Sequence, residues 1–323
     1  MNEKDISAAF REFSVLDVTG DDAGQILHNV TTNDVRGLET GQGTETCLTD
    51  VRGKVLGHGW MFRLADRFRF IGAAGQSAML ASHIGRYTIR EDATPHDRDD
   101  EFIVLATEIA GADADGSGQV RVEDDVYVPA TFTERFRLHL METARGGQVS
   151  AWPESLVPVT TQRFHDLRVE RFFPWYGIDA TDANLPQELA RDSAAISFTK
   201  GCYLGQETVA RLDALGQVQK KLVRLVDIDG DPTPGTVIHA DAKPVARLTS
   251  VHSDRRSALA MVRRAWFEDG LSVRGQAVPP ASPIVDASGP IVDASGPIVD
   301  ASAGNGKSVF AARVATAGDS AAG

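Results

Sequence analysis

Apolar and polar residues alternate from Phe13 to Val18, and this period of two predicts a strand. Asp21 or Asp22 offers a cap for a helix beginning over Ala23 to Asn29, and Trp60–Leu64 with Arg67–Gly72 reads as a hairpin. Met79, Leu80, Ile84 and Tyr87 recur at helical spacing and predict a helix over Ser77–Tyr87. Strand character returns at Phe102–Ala106 and Gln119–Val128, either side of a flexible Gly/Ala/Asp loop at 111–118. Further helices are expected over Thr133–Ala144 and over Gln206–Leu215, the second with Val209, Leu212 and Leu215 on one side. The mixture lacks regular βαβ units and so predicts an α+β fold rather than a doubly wound sheet.

After Val218 the texture changes to short strands broken by turns, at Lys221–Asp227, Thr236–His239, Pro244–Ser253 and Ser257–Val262. Such spacing predicts a small barrel or sandwich, with further strands near Leu271–Val278 and Ser308–Val314. Between these two lies a seven-residue repeat, Pro-Ile-Val-Asp-Ala-Ser-Gly, starting at Pro283, Pro290 and Pro297. Proline and glycine break helices, so the repeat reads as a solvated low-complexity insert at about 281–306 and not as a coiled coil. The expected division is a first domain over 1–215 and a second over 216–323.

Composition narrows the classes open to this chain. With 323 residues, 42% of them hydrophobic, it can bury a core of about two domains. No apolar run is long enough to span a membrane, and the start Met1-Asn2-Glu3-Lys4-Asp5 has neither a basic nor an apolar leader region, so a cytoplasmic location is expected. The net charge of −12 opposes nonspecific nucleic-acid binding, which needs a basic face to neutralise phosphates. Cys47 and Cys202 are far apart and in no Cys-x-x-Cys or Cys/His cluster, so neither a disulfide framework nor a protein-only metal site is expected. The eight histidines include no His-Glu-x-x-His arrangement, and there is no phosphate-cradling Gly-x-x-x-x-Gly-Lys-Ser/Thr loop.

Candidate chemistry concentrates in Ile196-Ser197-Phe198-Thr199-Lys200-Gly201-Cys202-Tyr203-Leu204-Gly205-Gln206-Glu207-Thr208-Val209-Ala210-Arg211. Cys202 stands two residues after Lys200 and a few before a helix start, and both a cation and a helix N-terminus favour a thiolate. The other reading of the same residue is a small buried thiol packed in a tight turn. Glu207 lies four residues before Arg211, the spacing of a helical ion pair.

The run Lys-Gly-Cys-Tyr-x-Gly-Gln-Glu, with Ile-Ser-Phe before it and Val-Ala-Arg after, resembles the signature of the YgfZ family, folate-binding relatives of the glycine cleavage T-protein. Val18-Thr19-Gly20-Asp21-Asp22-Ala23 followed by Asn29-Val30-Thr31-Thr32-Asn33-Asp34-Val35 is similar to that family's opening. Arg168-Val169-Glu170, Tyr176-Gly177-Ile178-Asp179 and Leu185-Pro186-Gln187-Glu188 resemble a segment shared with T-proteins.

The resemblance implies a GcvT-like folate-binding region followed by a small C-terminal β-barrel. It implies tetrahydrofolate or a one-carbon derivative as ligand and a role in iron-sulfur protein assembly or repair, with iron-sulfur proteins or assembly factors as partners. It also implies that Glu170 contacts the pterin, that Asn33 and Asp34 line the pocket with Tyr176, Arg211 and Glu207 as further candidates, and that Cys202, with Lys200 beside it, reacts near that pocket. A surface strand carrying Arg168 and Glu170 is the plain alternative for that segment. Aminomethyl transfer is the competing activity. T-proteins carry an acidic pair in the corresponding hairpin, where this chain has Arg52-Gly53-Lys54-Val55-Leu56-Gly57-His58, and they commonly place Asp where Cys202 stands.

Overall fold

The computed structural model describes residues 12–109, 119–133, 135–144, 148–149, 156–215, 218–228, 230–240, 243–266, 272–278 and 309–314. Contacts divide the chain into two compact units, one of residues 1–164 with 191–214 and the other of 165–190 with 215–323. Residues 165–190, expected within the first domain, thus group with the C-terminal strands.

The first unit is built on an antiparallel sheet of ten strands among the described residues: β1 (Phe13–Thr19), β2 (Gln42–Thr49), β3 (Val55–Arg63), β4 (Arg67–Ala73), β5 (Thr94–Asp97), β6 (Phe102–Glu108), β7 (Val120–Glu123), β8 (Val126–Val128), β9 (Phe136–Ala144) and β10 (Gln148–Val149). Their order is β10-β9-β8-β7-β2-β3-β4-β1-β5, with β6 pairing β9 as well. Successive side chains of a strand point to opposite faces, so neighbours on β3 serve two cores. Met61 joins Leu16, Val18, Phe68 and Phe70 under the helices Ala23–Val30 and Ser77–Gly85. Trp60 instead meets an aromatic cluster of Phe13, Phe132, Phe136 and Phe164, whose ring centroids lie 4.9 to 6.2 Å apart.

Three local expectations need correction. The helix expected over Thr133–Ala144 is strand β9, paired with β6 from Phe136 to Glu142, because Phe136, Leu138 and Leu140 alternate with Arg137 and His139 and period two wins. The strand expected over Gln119–Val128 is the hairpin β7–β8, turned by Asp124 and Asp125 at φ of 47° and 63°, left-handed values that Asp tolerates. Asp22 is the N-cap of Ala23–Val30 by position only; its carboxylate accepts the Asp92 N–H at 2.8 Å instead of capping. The loop expected at 111–118 and the repeat from Pro283 lie outside the described residues.

In the second unit, β11 (Lys220–Val226), β14 (Ala258–Arg263), β13 (Lys243–Val251) and β12 (Val237–Ala240) pair antiparallel in that order around Leu225, Ile238, Leu248, Ala260 and Val262. Two more strands, β15 (Ser272–Val278) and β16 (Val309–Val314), pair with each other. Arg168 and Glu170 lie on the helix Thr161–Glu170, which corrects the surface-strand alternative. Val169 packs that helix against Leu222 and Leu259.

Arg168 is fully buried and donates to Asp179 Oδ2 at 2.6 Å, while Asp179 Oδ1 accepts from the hydroxyls of Thr249 and Ser250 at 2.6 and 2.7 Å. A buried charge is tolerable only when so compensated. Asp179→Ala leaves the guanidinium buried without its counter-ion, and the expected loss of about 3–5 kcal/mol is to be read from urea unfolding midpoints. An unchanged midpoint refutes the role assigned to this pair.

Candidate functional site

Cys202 is exposed on the turn between Ile196 and the helix Gln206–Leu215, whereas Cys47 is buried on β2. Burial, reinforced by the Glu45 carboxylate, pushes the Cys47 thiol far above its usual range. Of the two sulfurs, only Cys202 is placed to meet a ligand.

The turn is held along its length by the segment 28–49 of the same unit. Thr32 donates its hydroxyl to Ala195 O at 2.6 Å and accepts the Ser197 N–H on its carbonyl at 3.0 Å. Leu204 N–H reaches Asn29 O at 2.8 Å, and the Thr49 hydroxyl donates to Leu204 O at 2.8 Å. Gly205, at φ of 76°, meets the β2–β3 turn so closely that a Cβ on it would sit 2.3 Å from Gly53 Cα. Glycine is needed there on both counts.

Lys200 does not serve as the cation beside the thiol. Its side chain runs inward, and Nζ donates to the carbonyls of His28, Thr31 and Asn33 at 2.8, 2.8 and 2.7 Å, closing the end of the helix Ala23–Val30. All three ammonium protons are thereby used. Burial pulls its pKa down to about 7, with Asp34 opposing the fall and Arg36 adding to it.

Asn33 is likewise structural. Its amide donates to Thr44 Oγ1, Glu45 O and Ala194 O at 2.8 to 2.9 Å and accepts the Asp34 N–H at 2.9 Å, so its polar capacity is spent inside the protein. Asp34 is exposed, accepts the Gly37 N–H at 3.1 Å and lies 3.2 Å from His28 Nδ1. Glu207 and Arg211 are exposed on the helix after the turn. The structure therefore brings Asn33, Asp34, Lys200 and Cys202 into one linked region. Glu170 and Tyr176 belong to the other unit.

Glu170 keeps its side chain one-third accessible, with His252 Nε2 3.2 Å from Oε1. Tyr176 is half-buried, and burial, then the charge of Asp182, raises its phenol to about 12. It is a neutral O–H donor at physiological pH.

Sequence reasoning missed a buried ion pair in the first unit. Glu45 on β2, wholly buried, accepts Arg191 Nε at 2.8 Å on Oε1 and Arg191 Nη2 at 2.5 Å on Oε2, and lies 2.9 Å from His58 Nε2. The partners are 146 residues apart in sequence, and no local motif marks them. Arg191 Nη2 also donates to Thr131 O at 2.8 Å, and Thr44 and Thr131 face an open cavity of about 250 Å³ with Leu38, Gln42 and Val120. His28 stands in the last turn of the helix Ala23–Val30, and its carbonyl is one of the three that accept from Lys200.

No family profile matches the chain. It is 25% identical over 222 residues to the tRNA-modifying protein YgfZ of Vibrio atlanticus, covering 67% of each chain, and 24% identical over 276 residues to that of Vibrio vulnificus, covering 79% of this chain and 78% of the relative. It is 25% identical over 267 residues to a chloroplastic protein of Arabidopsis thaliana named as a provisional transferase, and spans 60% of that relative's length. The glycine cleavage system aminomethyltransferase T from Bartonella henselae shares the fold, with a TM-score of 0.67, 15% identity, and coverage of 96% of this chain and 84% of that one. The chain is YgfZ/GcvT-like. A shorter stretch of 57 residues is 40% identical to the human mitochondrial iron-sulfur cluster assembly factor IBA57, over 16% of each chain. No described helix of this YgfZ/GcvT-like chain is long and apolar enough to cross a membrane.

Glu45 supplies a pH test of the buried pair. Burial alone would raise its pKa, but the charge and hydrogen bonds of Arg191, with His58, bring it down from 4.5 to about 2. A depressed carboxyl contributes stability that is full above the unfolded value and lost as pH falls through the folded one. Urea unfolding across pH should show the advantage of wild type over Glu45→Gln shrinking between about 4.5 and about 2, from on the order of 3 kcal/mol. A gap independent of pH there contradicts the assignment.

Proposed function

We propose that this chain is a tetrahydrofolate-binding accessory protein of iron-sulfur protein assembly or repair, and thereby of the maturation of iron-sulfur enzymes such as tRNA-modifying ones, with Cys202 as its reacting group. The observation that carries the reading is the contrast between the two sulfurs: Cys47 is sealed in the core and Cys202 stands exposed on a turn held at both ends. A thiol kept accessible on a rigid support is suited to attack an electrophilic carbon or to exchange sulfur. The names of the relatives, a tRNA-modifying protein and an iron-sulfur cluster assembly factor, support the cellular role.

The residues present fit a folate. Glu170 has an accessible carboxylate able to grip the amide-like edge of a pterin by paired hydrogen bonds, and the Tyr176 phenol adds a neutral donor. Bound folate would supply the carrier of a one-carbon group; Glu170 would hold and orient the ring. The role proposed for Asn33 narrows to shaping the segment that meets the Cys202 turn, since its amide is committed internally. The pairing of β12 with β15 and of β11 with β16 supports closure of the C-terminal strands into the small β-barrel.

Aminomethyl transfer fits less well. The β2–β3 turn carries Arg52, Gly53 and Lys54 around a single acid, Asp50, whose Oδ1 is occupied by the Arg52 and Lys54 N–H groups at 2.8 Å. No acidic pair stands there to steady a developing cation. Calorimetric titration with tetrahydrofolate separates the readings. Wild type and Cys202→Ser should bind alike, and Glu170→Ala should bind about tenfold more weakly or worse, the scale of a lost charge-assisted hydrogen bond. Absence of binding to wild type refutes the folate reading; ammonia release from an aminomethyl-lipoyl carrier would restore the transferase.

A further inference from the structure

The helix Thr161–Glu170 sets two carboxylates four residues apart, Asp166 and Glu170, and that spacing puts them on one face. Both reach the turn between β13 and β14. Asp166 accepts the Ser253 N–H on Oδ1 at 2.8 Å and the Ser253 hydroxyl on Oδ2 at 2.7 Å. Glu170 Oε1 stands 3.2 Å from His252 Nε2. The two contacts differ in setting, since Asp166 is buried, whereas Glu170 keeps a third of its side chain accessible beside a histidine that keeps 15%. The first serves the fold. The second holds a carboxylate that still opens to solvent.

The backbone of the turn decides which ring nitrogen carries the proton. Asp254 N–H donates to His252 Nδ1 at 3.1 Å, which requires a lone pair there and leaves the proton of the neutral ring on Nε2, toward Glu170. In the imidazolium, Nε2 keeps its proton and Nδ1 gains one facing Asp254 Oδ1 at 3.0 Å. Either form thus donates to Glu170 Oε1. The turn is itself fixed, with the His252 N–H on Ser257 O and the Arg255 N–H on His252 O, both at 2.9 Å. Arg224 Nη1, from β11, donates to the main-chain carbonyl of Glu170 at 2.9 Å, so the backbone of that residue is held as well as its carboxylate.

We propose that His252 is a positioning residue for ligand recognition by Glu170, holding the carboxylate in the orientation that receives the amide-like edge of a pterin. This rests on the reading of Glu170 as the pterin contact. The terminal torsion of a glutamate is soft, and a part-exposed carboxylate left to itself must be ordered by the ligand, at a cost in affinity. Paired hydrogen bonds from a flat edge need both oxygens in the plane of the ring, and the Nε2–H bond restricts that plane before the ligand arrives. A carboxylate oxygen accepts from two donors, so the bond to His252 does not by itself exclude the ligand.

The test is calorimetric titration with tetrahydrofolate on wild type, His252→Asn, His252→Leu, His252→Gln, Glu170→Ala and the double variant Glu170→Ala with His252→Asn, each with its urea unfolding midpoint. The two amides divide the roles of the ring. The Asn variant places an acceptor where Nδ1 takes the Asp254 N–H but stops short of Glu170; the Gln variant places a donor where Nε2 does. His252→Asn should bind about three- to tenfold more weakly at a midpoint close to that of wild type, the scale of one side chain left to be ordered on binding. His252→Leu carries the same expectation and serves if the Asn variant does not fold, His252→Gln should bind like wild type, and His252→Asn should cost nothing further once Glu170 is replaced. Affinity unchanged in the Asn and Leu variants overturns the role of His252, and so does an equal loss in the Glu170→Ala background, which would mean that the ring acts apart from Glu170. Both outcomes leave the reading of Glu170 standing. No binding by wild type, or undiminished binding by Glu170→Ala, overturns that reading and the role of His252 together.

Discussion

The ammonium of Lys200 is the constraint on which the candidate site depends. Three backbone carbonyls, from His28, Thr31 and Asn33, converge where the helix Ala23–Val30 ends, and such carbonyls have no partners within the helix itself. A buried cation with three donors answers all of them. In doing so it pins the start of the Cys202 turn to the segment that follows the helix. Thr32, Thr49 and Asn29 hold the same turn farther along, so the thiol is carried on backbone that is tied before and after it.

Each unit also buries an ion pair whose partners come from distant parts of the chain. Glu45 with Arg191 ties β2 to the residues that lead into the signature, and Asp179 with Arg168 ties the helix Thr161–Glu170 to a loop and to β13. Pairs of this kind add less net stability than apolar packing would, because both ions must be desolvated. Their geometric effect is stronger. A guanidinium that meets a carboxylate through two parallel bonds accepts few alternative arrangements, and Arg191 precedes Ala194 and Ala195, whose carbonyls take the Asn33 and Thr32 side chains.

The sequence was legible where structure follows from neighbours. Phe13–Thr19, the β3–β4 hairpin and Gln206–Leu215 stand where period and turn residues place them, because each is specified by its own side chains. Thr133–Ala144 misled because Phe136, Leu138, Leu140 and Met141 satisfy both periods over a short window, and only pairing with β6 decides between them. At the site the sequence singled out the stretch around Cys202, which is exposed, but it could not say where a long side chain goes. Lys200 two residues from Cys202 suggests a charge beside a sulfur; the backbone turns it inward to carbonyls more than 160 residues away in sequence. Asn33 entered the pocket list through the family resemblance alone, and a resemblance does not show that its amide is spent on Thr44, Glu45 and Ala194.

Glycine explains why the signature and the β2–β3 turn must be considered as one object. At Gly53 and Gly205 the main chains of two turns come so close that a Cβ on Gly205 would sit 2.3 Å from Gly53 Cα and one on Gly53 would press on Gly205 O at 3.0 Å, and both residues have left-handed φ values of 79° and 76°. The hairpin thus cannot move independently of the thiol-bearing turn.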